Sequence, residues 1–205
     1  MMKLHQFHLS GNCYKVRLCA HMLSLPLLLV DVDMMGGETR RAPFLAKNPN
    51  GRVPLLELED GRTLPESNAI LFFLAEGTHL VPSDRWQRAQ MLQWLFFEQY
   101  SHEPYIAVAR FWLKFAPEEQ LRDKRHLLPE WQTKGNAALG VMETWLGNKP
   151  WFAGDEFSIA DIALFAYTHC AGDGGFDVSV FPAIEDWLAR VKAQPSFIPM
   201  EHRPQ

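Results

Sequence analysis

Apolar positions follow two different rhythms along the chain. As far as residue 77 they come in short runs bounded by Gly, Pro, Asn and Asp; after it they recur at helical spacing. The run at 3–9 predicts a strand, its alternation interrupted by His5 and His8 and its end marked by Gly11-Asn12. From Asn12 the period changes. Val16, Cys19, Ala20 and Leu23 fall at i, i+3, i+4 and i+7, one face of a helix that stops before Pro26. "PLLLVDV" (26–32) then predicts a short strand buried on both faces, as in a parallel sheet. Strand, helix and strand at this spacing form a βαβ unit.

"MMGGETRRAPFLAKNPNG" (34–51) is a connection with at most one short helix, closed by an Asn-Pro-Asn-Gly turn. "VPLLELE" and "RTL" follow as strands, with Asp60-Gly61 between them as a hairpin signal. Pro54 at the start of the first is tolerated because its missing N–H falls outside the ladder. "PESNAILFFLAEG" predicts an amphipathic helix with Ile70, Phe73 and Leu74 inward, ended by Gly77. The order is β-α-β-(α)-β-β-α. Beyond it, helices are expected over 84–115 (broken once at Pro104), 129–147, 158–170 and 181–193. The aromatics Tyr105, Phe111, Trp112 and Phe115 are expected mostly in the core. The expected division is an α/β domain over 1–78, a linker over 79–86 and an all-helical domain over 87–205. In "FSIADIALFA", Ser158 and Asp161 have capping-box spacing, which accounts for Asp161 as a structural carboxylate.

Composition narrows the partners. The 205 residues are 47% apolar and 21% charged with a net charge of −4, and no Lys/Arg cluster offers a face for nucleic acid or an anionic membrane. Three cysteines, Cys13, Cys19 and Cys170, are an odd number at unrelated spacings, which points to a reducing, cytoplasmic setting rather than a disulfide framework. No signal peptide is read in "MMKLHQFHLSGN" and no run of ~18 apolar residues occurs. The eight histidines lack ligand spacing, so no metal is expected. Gly36-Gly37 follows a strand without the other glycines of a dinucleotide motif.

Three stretches in order, "NPNGRVPLLELEDG" (48–61), "PESNAI" (65–70) and "FSIADI" (157–162), together resemble the cytosolic glutathione S-transferases, in particular bacterial, theta- and nu-like members with a serine in the active-site loop. The resemblance spans essentially the whole chain. It implies a thioredoxin-like first domain that binds glutathione, a helical second domain that supplies most of the pocket for the other substrate, and a cytoplasmic homodimer serving detoxification. It also implies that Val53, before a cis Pro54, presents its backbone to the cysteinyl part of glutathione. Ser67 at a helix start would hold the γ-glutamyl carboxylate and Glu66 would face the α-amine; a helix N-terminus favours such an anion on its own physics. Among Arg40, Arg41 and Arg52, the last is chosen as partner of the glycyl carboxylate. One departure stands out. Where many members carry an Asp that reaches the partner subunit's glutathione, this chain has "QYSHEPY", so either Glu103 substitutes or the contact is absent.

The catalytic question lies in "HLSGNCYKV" (8–16), where Ser10, Asn12 and Cys13 stand together. A free thiol has a pKa near ~8.5, and the thiolate is the nucleophile. Lowering that by two units needs ~2.7 kcal/mol of preference for the charged form. One hydrogen bond to a charged group supplies ~1.5–3 kcal/mol, and a helix N-terminus ~0.3–1 kcal/mol more. Glutathione therefore needs a donor and a helix end rather than a general base. Ser10 fills the donor's place, and the resemblance implies the same for Ser10 and that Asn12 shares the task. Cys13 occupies the second rather than the first place of a C-x-x-C pattern and reads as incidental. The expected activity is transfer of glutathione to an alkyl or aryl electrophile. Alternatives are a glutathione-dependent disulfide or peroxide reductase, and a non-catalytic interaction module.

Overall fold

The structure, a computed structural model, describes residues 1–203. It divides into two compact units: Met1–Thr78 together with the chain from Gln194, and His79–Ala193. The sequence places residues 194–205 with the helical domain. The described part of that tail packs on the first unit instead, because Tyr14 and Arg17 bind its backbone: the Tyr14 hydroxyl donates to the Ile198 carbonyl at 2.6 Å and Arg17 Nη2 to that of Met200 at 2.7 Å.

The first unit is a four-stranded mixed sheet in the order β2-β1-β3-β4, with β1 at Met2–Gln6, β2 at Leu27–Asp31, β3 at Leu55–Glu57 and β4 at Thr63–Pro65. Helix α1 (Gly11–Met22) crosses from β1 to its parallel neighbour β2, α2 is a single turn (Ala42–Leu45), and α3 (Ser67–Ala75) follows the hairpin. β3 runs antiparallel to β1 with Leu4 opposite Leu56, both fully buried. Gly61, at φ +85°, closes the β3–β4 hairpin and Gly77, at φ +79°, follows α3, as their positions suggest. Glu57 gathers Lys47, His5 and Lys3 on its carboxylate, and these hydrogen bonds hold its pKa down at about 2.

Three local expectations change. β1 ends at Gln6, since the Ser10 N–H turns back to the Phe7 carbonyl. β2 is an edge strand rather than doubly buried, and Leu28 is 49% exposed. On α3 the buried set is Ile70, Leu71, Leu74 and Ala75; Phe73 is exposed, one position off the inward stripe.

The second unit is all-helical: α4 (Arg85–Phe97), α5 (Glu103–Lys114), the short α6 (Glu118–Arg122), α7 (Leu128–Leu146), α8 (Ile159–Thr168) and α9 (Pro182–Lys192). A π-helical turn over Glu98–His102 joins α4 to α5 just ahead of Pro104, which sits in the first turn of α5 where its missing N–H costs nothing. Tyr105, Phe111, Trp112 and Phe115 are half-buried rather than core. The core is built on Trp187, Phe152 and Phe165, with ring centroids 5.1 Å apart for Phe152–Trp187. The N-terminus of α9 has no cap of its own; Glu143 of α7 accepts from the Ala183 and Ile184 amides at 3.0 Å each.

At the start of α8, Ser158 Oγ accepts from the Ala160 amide at 3.2 Å while Asp161 Oδ2 accepts from the Ser158 amide at 3.0 Å. The fully buried Asp161 does more than close a capping box. Its Oδ1 also accepts from Trp187 Nε1–H at 2.9 Å and the Phe152 amide at 3.2 Å, tying three segments of this unit to one carboxylate.

Candidate functional site

Ser10 caps α1: its backbone is extended and its Oγ accepts from the Cys13 amide at 3.4 Å. A hydroxyl has one hydrogen to give and two lone pairs. Accepting from the Cys13 amide leaves that hydrogen to give, and the buried Cys13 sulfur lies within its reach. Asn12 lies in the first turn of α1, half-buried, and its Oδ1 accepts from Ser67 Oγ–H at 3.2 Å. Ser67 is itself buried at the first position of α3. This bond joins the N-termini of α1 and α3, and Lys15 Nζ to Asn68 Oδ1 at 3.2 Å makes a second link between the same helices.

The hairpin supplies the other side. Leu55 pairs with Pro65, so continuing that register carries Val53-Pro54 toward Glu66-Ser67. The Val53-Pro54 peptide is cis. Val53 packs against Val32, Phe44 and Leu55, and among the described residues neither its N–H nor its carbonyl has a hydrogen-bond partner. An unpaired backbone at a strand start can pair with an extended peptide. Arg52 is exposed; its carbonyl takes the Asn48 side-chain amide at 2.8 Å, and its guanidinium has no partner among the described residues. Arg40 and Arg41 are instead tied to the carbonyls of Asn50 (3.0 Å) and Gly36 (3.4 Å). Asn12 and Ser67 thus join the two helix starts, the hairpin register runs Val53-Pro54 toward Glu66-Ser67, and Arg52 stands exposed beside Val53.

Glu66 carries a feature that spacing does not reveal. It stands at φ +70°, ψ 110°, a region few residues other than glycine enter, and its side chain is exposed. Such strain costs ~1–3 kcal/mol and concentrates where the chain must aim a group. Glu66→Gly should therefore raise the unfolding free energy by ~1 kcal/mol in denaturant titration while weakening binding of any ligand amine that faces the carboxylate. A lower stability would show that the strain is not in the backbone of this residue.

Cys13 is fully buried, and burial pushes its thiol up to about 11 against the opposing pull of its hydrogen bonds to Phe7 and Ser10. Cys19 is likewise raised by burial, to about 12. Neither is poised as a nucleophile near neutrality. Cys13→Ser should leave turnover within about twofold of the parent and cost ~1–2 kcal/mol of stability, the penalty of burying a hydroxyl; loss of activity in a folded variant would return the chemistry to this thiol.

Two adjoining helix N-termini, a strand start with open backbone groups and an exposed carboxylate suit a small zwitterionic peptide carried on a thioredoxin-like sheet. The chain belongs to the glutathione S-transferase family: residues 4–78 match its N-terminal domain and residues 91–195 its C-terminal domain. It is similar to the crystal structure of a glutathione S-transferase from Pseudomonas fluorescens, with 50% identity and a TM-score of 0.94 over 98% of this chain and 99% of that one. A glutathione transferase family member from the same species, with two glutathione molecules bound, matches at 26% identity and TM-score 0.80 over 95% and 89% of the two chains. The disulfide-bond oxidoreductase YfcG of Escherichia coli is 29% identical over 91% of this chain and 88% of its own.

Proposed function

We propose that the chain is a glutathione transferase in which Ser10 donates its hydroxyl hydrogen to the glutathione sulfur and holds it as thiolate for attack on an alkyl or aryl electrophile. The observation that carries this reading is the Ser10 hydroxyl at the cap of α1, a rotatable donor placed where the helix end favours the same negative charge. Asn12 is the second donor. Its Oδ1 is occupied by Ser67, which orients its amide edge. Val53 pairs its N–H and carbonyl with the cysteinyl residue, the backbone amides of Ser67 and the start of α3 take the γ-glutamyl carboxylate, and Glu66 meets the α-amine. Arg52 takes the glycyl carboxylate. Its free guanidinium favours it over Arg40 and Arg41, which are already bound. The protein would work as a cytoplasmic homodimer, for which the exposed Phe96 and Tyr100 offer apolar surface.

The YfcG likeness favours a second reading, reduction of a disulfide. With Cys13 buried and protonated, that chemistry would run on glutathione alone. One glutathione thiolate attacks a disulfide sulfur and expels the first substrate thiolate; a second attacks the glutathione sulfur of the mixed disulfide, expels the other substrate thiolate and forms oxidised glutathione.

Calorimetric titration with glutathione should give saturable binding of one molecule per chain, and an aryl halide should then yield a thioether. Heat without thioether, but with reduction of a model disulfide, would select the second reading. No heat would overturn both and leave the interaction module.

A further inference from the structure

Among the described residues, helix α1 carries a buried cation that meets no anion. Arg17, 4% exposed, donates through Nη1 to Gln6 Oε1 and through Nη2 to the Met200 carbonyl, both neutral oxygens, and among the described residues its Nε–H has no acceptor. Asp31, the carboxylate whose field reaches it, is held elsewhere, by Arg203 at 2.9 Å and Gln6 Nε2 at 2.9 Å. An unpaired charge removed from water costs several kcal/mol unless something offsets it.

Arg17 also lines a cavity of about 230 Å³ between α1, β2 and the tail, within the first unit. The walls are apolar, from Leu25, Leu27, Leu29 and Ile198. His21 and His202 complete the lining, with ring centroids 5.8 Å apart, and no acidic side chain among the described residues takes part. One cation, two imidazoles and aliphatic walls make a polar head and an apolar body in one space. At ~30 Å³ per water the cavity has room for about eight, the bulk of a medium-chain acid rather than a lipid.

We infer that this cavity binds a small amphipathic monoanion, an aliphatic or aryl carboxylate, whose head group neutralises Arg17 and whose apolar body lies between β2 and the tail. A neutral apolar guest would leave the guanidinium uncompensated. A compact, strongly hydrated anion such as inorganic phosphate would lose its water against leucine and isoleucine walls for little return. The site is built from residues distinct from Ser10, Asn12, Val53 and Ser67, and it does not rest on the transferase reading. Because Ile198 and His202 belong to the tail, an occupied cavity also fastens the tail to α1 and β2.

The test compares octanoate with 1-octanol in calorimetric titrations of the full chain. Octanoate should bind one per chain, at least tenfold tighter than the alcohol of equal length. Arg17→Gln should bring the two ligands within about threefold. His202→Glu, a change on a half-buried tail residue, should weaken octanoate about tenfold by placing a carboxylate beside the head group, and leave octanol unchanged. If Arg17→Gln fails to fold, His202→Glu decides alone. Equal affinity for acid and alcohol, no saturable octanoate binding, or octanoate binding indifferent to His202→Glu would each overturn the inference.

Discussion

Asp161→Ala should lower the unfolding free energy by ~4 kcal/mol and the melting temperature by about 10 °C. The carboxylate receives the Phe152 and Ser158 amides and the Trp187 indole N–H, and all of these donors are buried with it. Truncation orphans them at ~1–3 kcal/mol for each buried unsatisfied group, partly relieved by relaxation, and removes half of the box that starts α8. Against a typical net stability of ~5–15 kcal/mol, that loss empties much of the folded population on warming. Trp187 fluorescence in a denaturant titration measures it directly, and a change below ~1 kcal/mol would show that the network is dispensable.

The same residue sets a pH dependence of definite sign. Burial raises the Asp161 carboxyl from 3.8 to about 6, against the pull of its hydrogen bonds from Trp187, Phe152 and Ser158. The folded state therefore holds this proton more tightly than the unfolded chain. Its contribution is fully present below the unfolded value and is lost as pH rises through about 6. Glu57, held at about 2, works the other way: its contribution is present above the unfolded value and fades as pH falls toward about 2. The two windows meet near pH 4. In Asp161→Asn the first dependence vanishes, so the stability difference between parent and variant should fall as pH rises from 4 to 6.

Those details separate what sequence spacing reveals from what only packing decides. The hairpin at Asp60-Gly61, the stop at Gly77 and the Ser158–Asp161 box were legible because each depends on backbone chemistry within four residues. Ser10, Asn12, Val53, Glu66 and Ser67 were legible as local turns and helix starts. Their assembly was not, since the Ser67–Asn12 bond spans 55 residues. Failures occurred where a neighbour decides the outcome. Phe73 satisfies a helical stripe, yet it is exposed; β2 is apolar on both faces and still lies at a sheet edge. The tail from Gln194 has no pattern of its own and is placed by Tyr14 and Arg17, some 180 residues earlier. The positive φ of Glu66 has no signal in a residue type that rarely adopts it.

Ser10→Ala should reduce glutathione conjugation at neutral pH by about 3- to 25-fold, with glutathione affinity changed far less. Removing one hydrogen bond to a thiolate forfeits ~1.5–3 kcal/mol, which corresponds to about one to two pKa units on the bound sulfur. The loss is one of ionisation, so raising the pH should restore much of the rate, and the pH–rate profile should shift upward by the same one to two units. A merely structural role predicts something else. The cap bond from the Cys13 amide is long at 3.4 Å, so its removal should cost only ~0.5 kcal/mol of stability and move no profile. Ser10→Thr keeps the donor and should recover the rate. Asn12→Ala measures the second donor separately; because it also releases Ser67, it should lower glutathione affinity as well as turnover. If Ser10→Ala kept both its rate and its pH profile, the thiolate would owe its stability to Asn12 and the helix end alone, and Ser10 would be only the cap of α1.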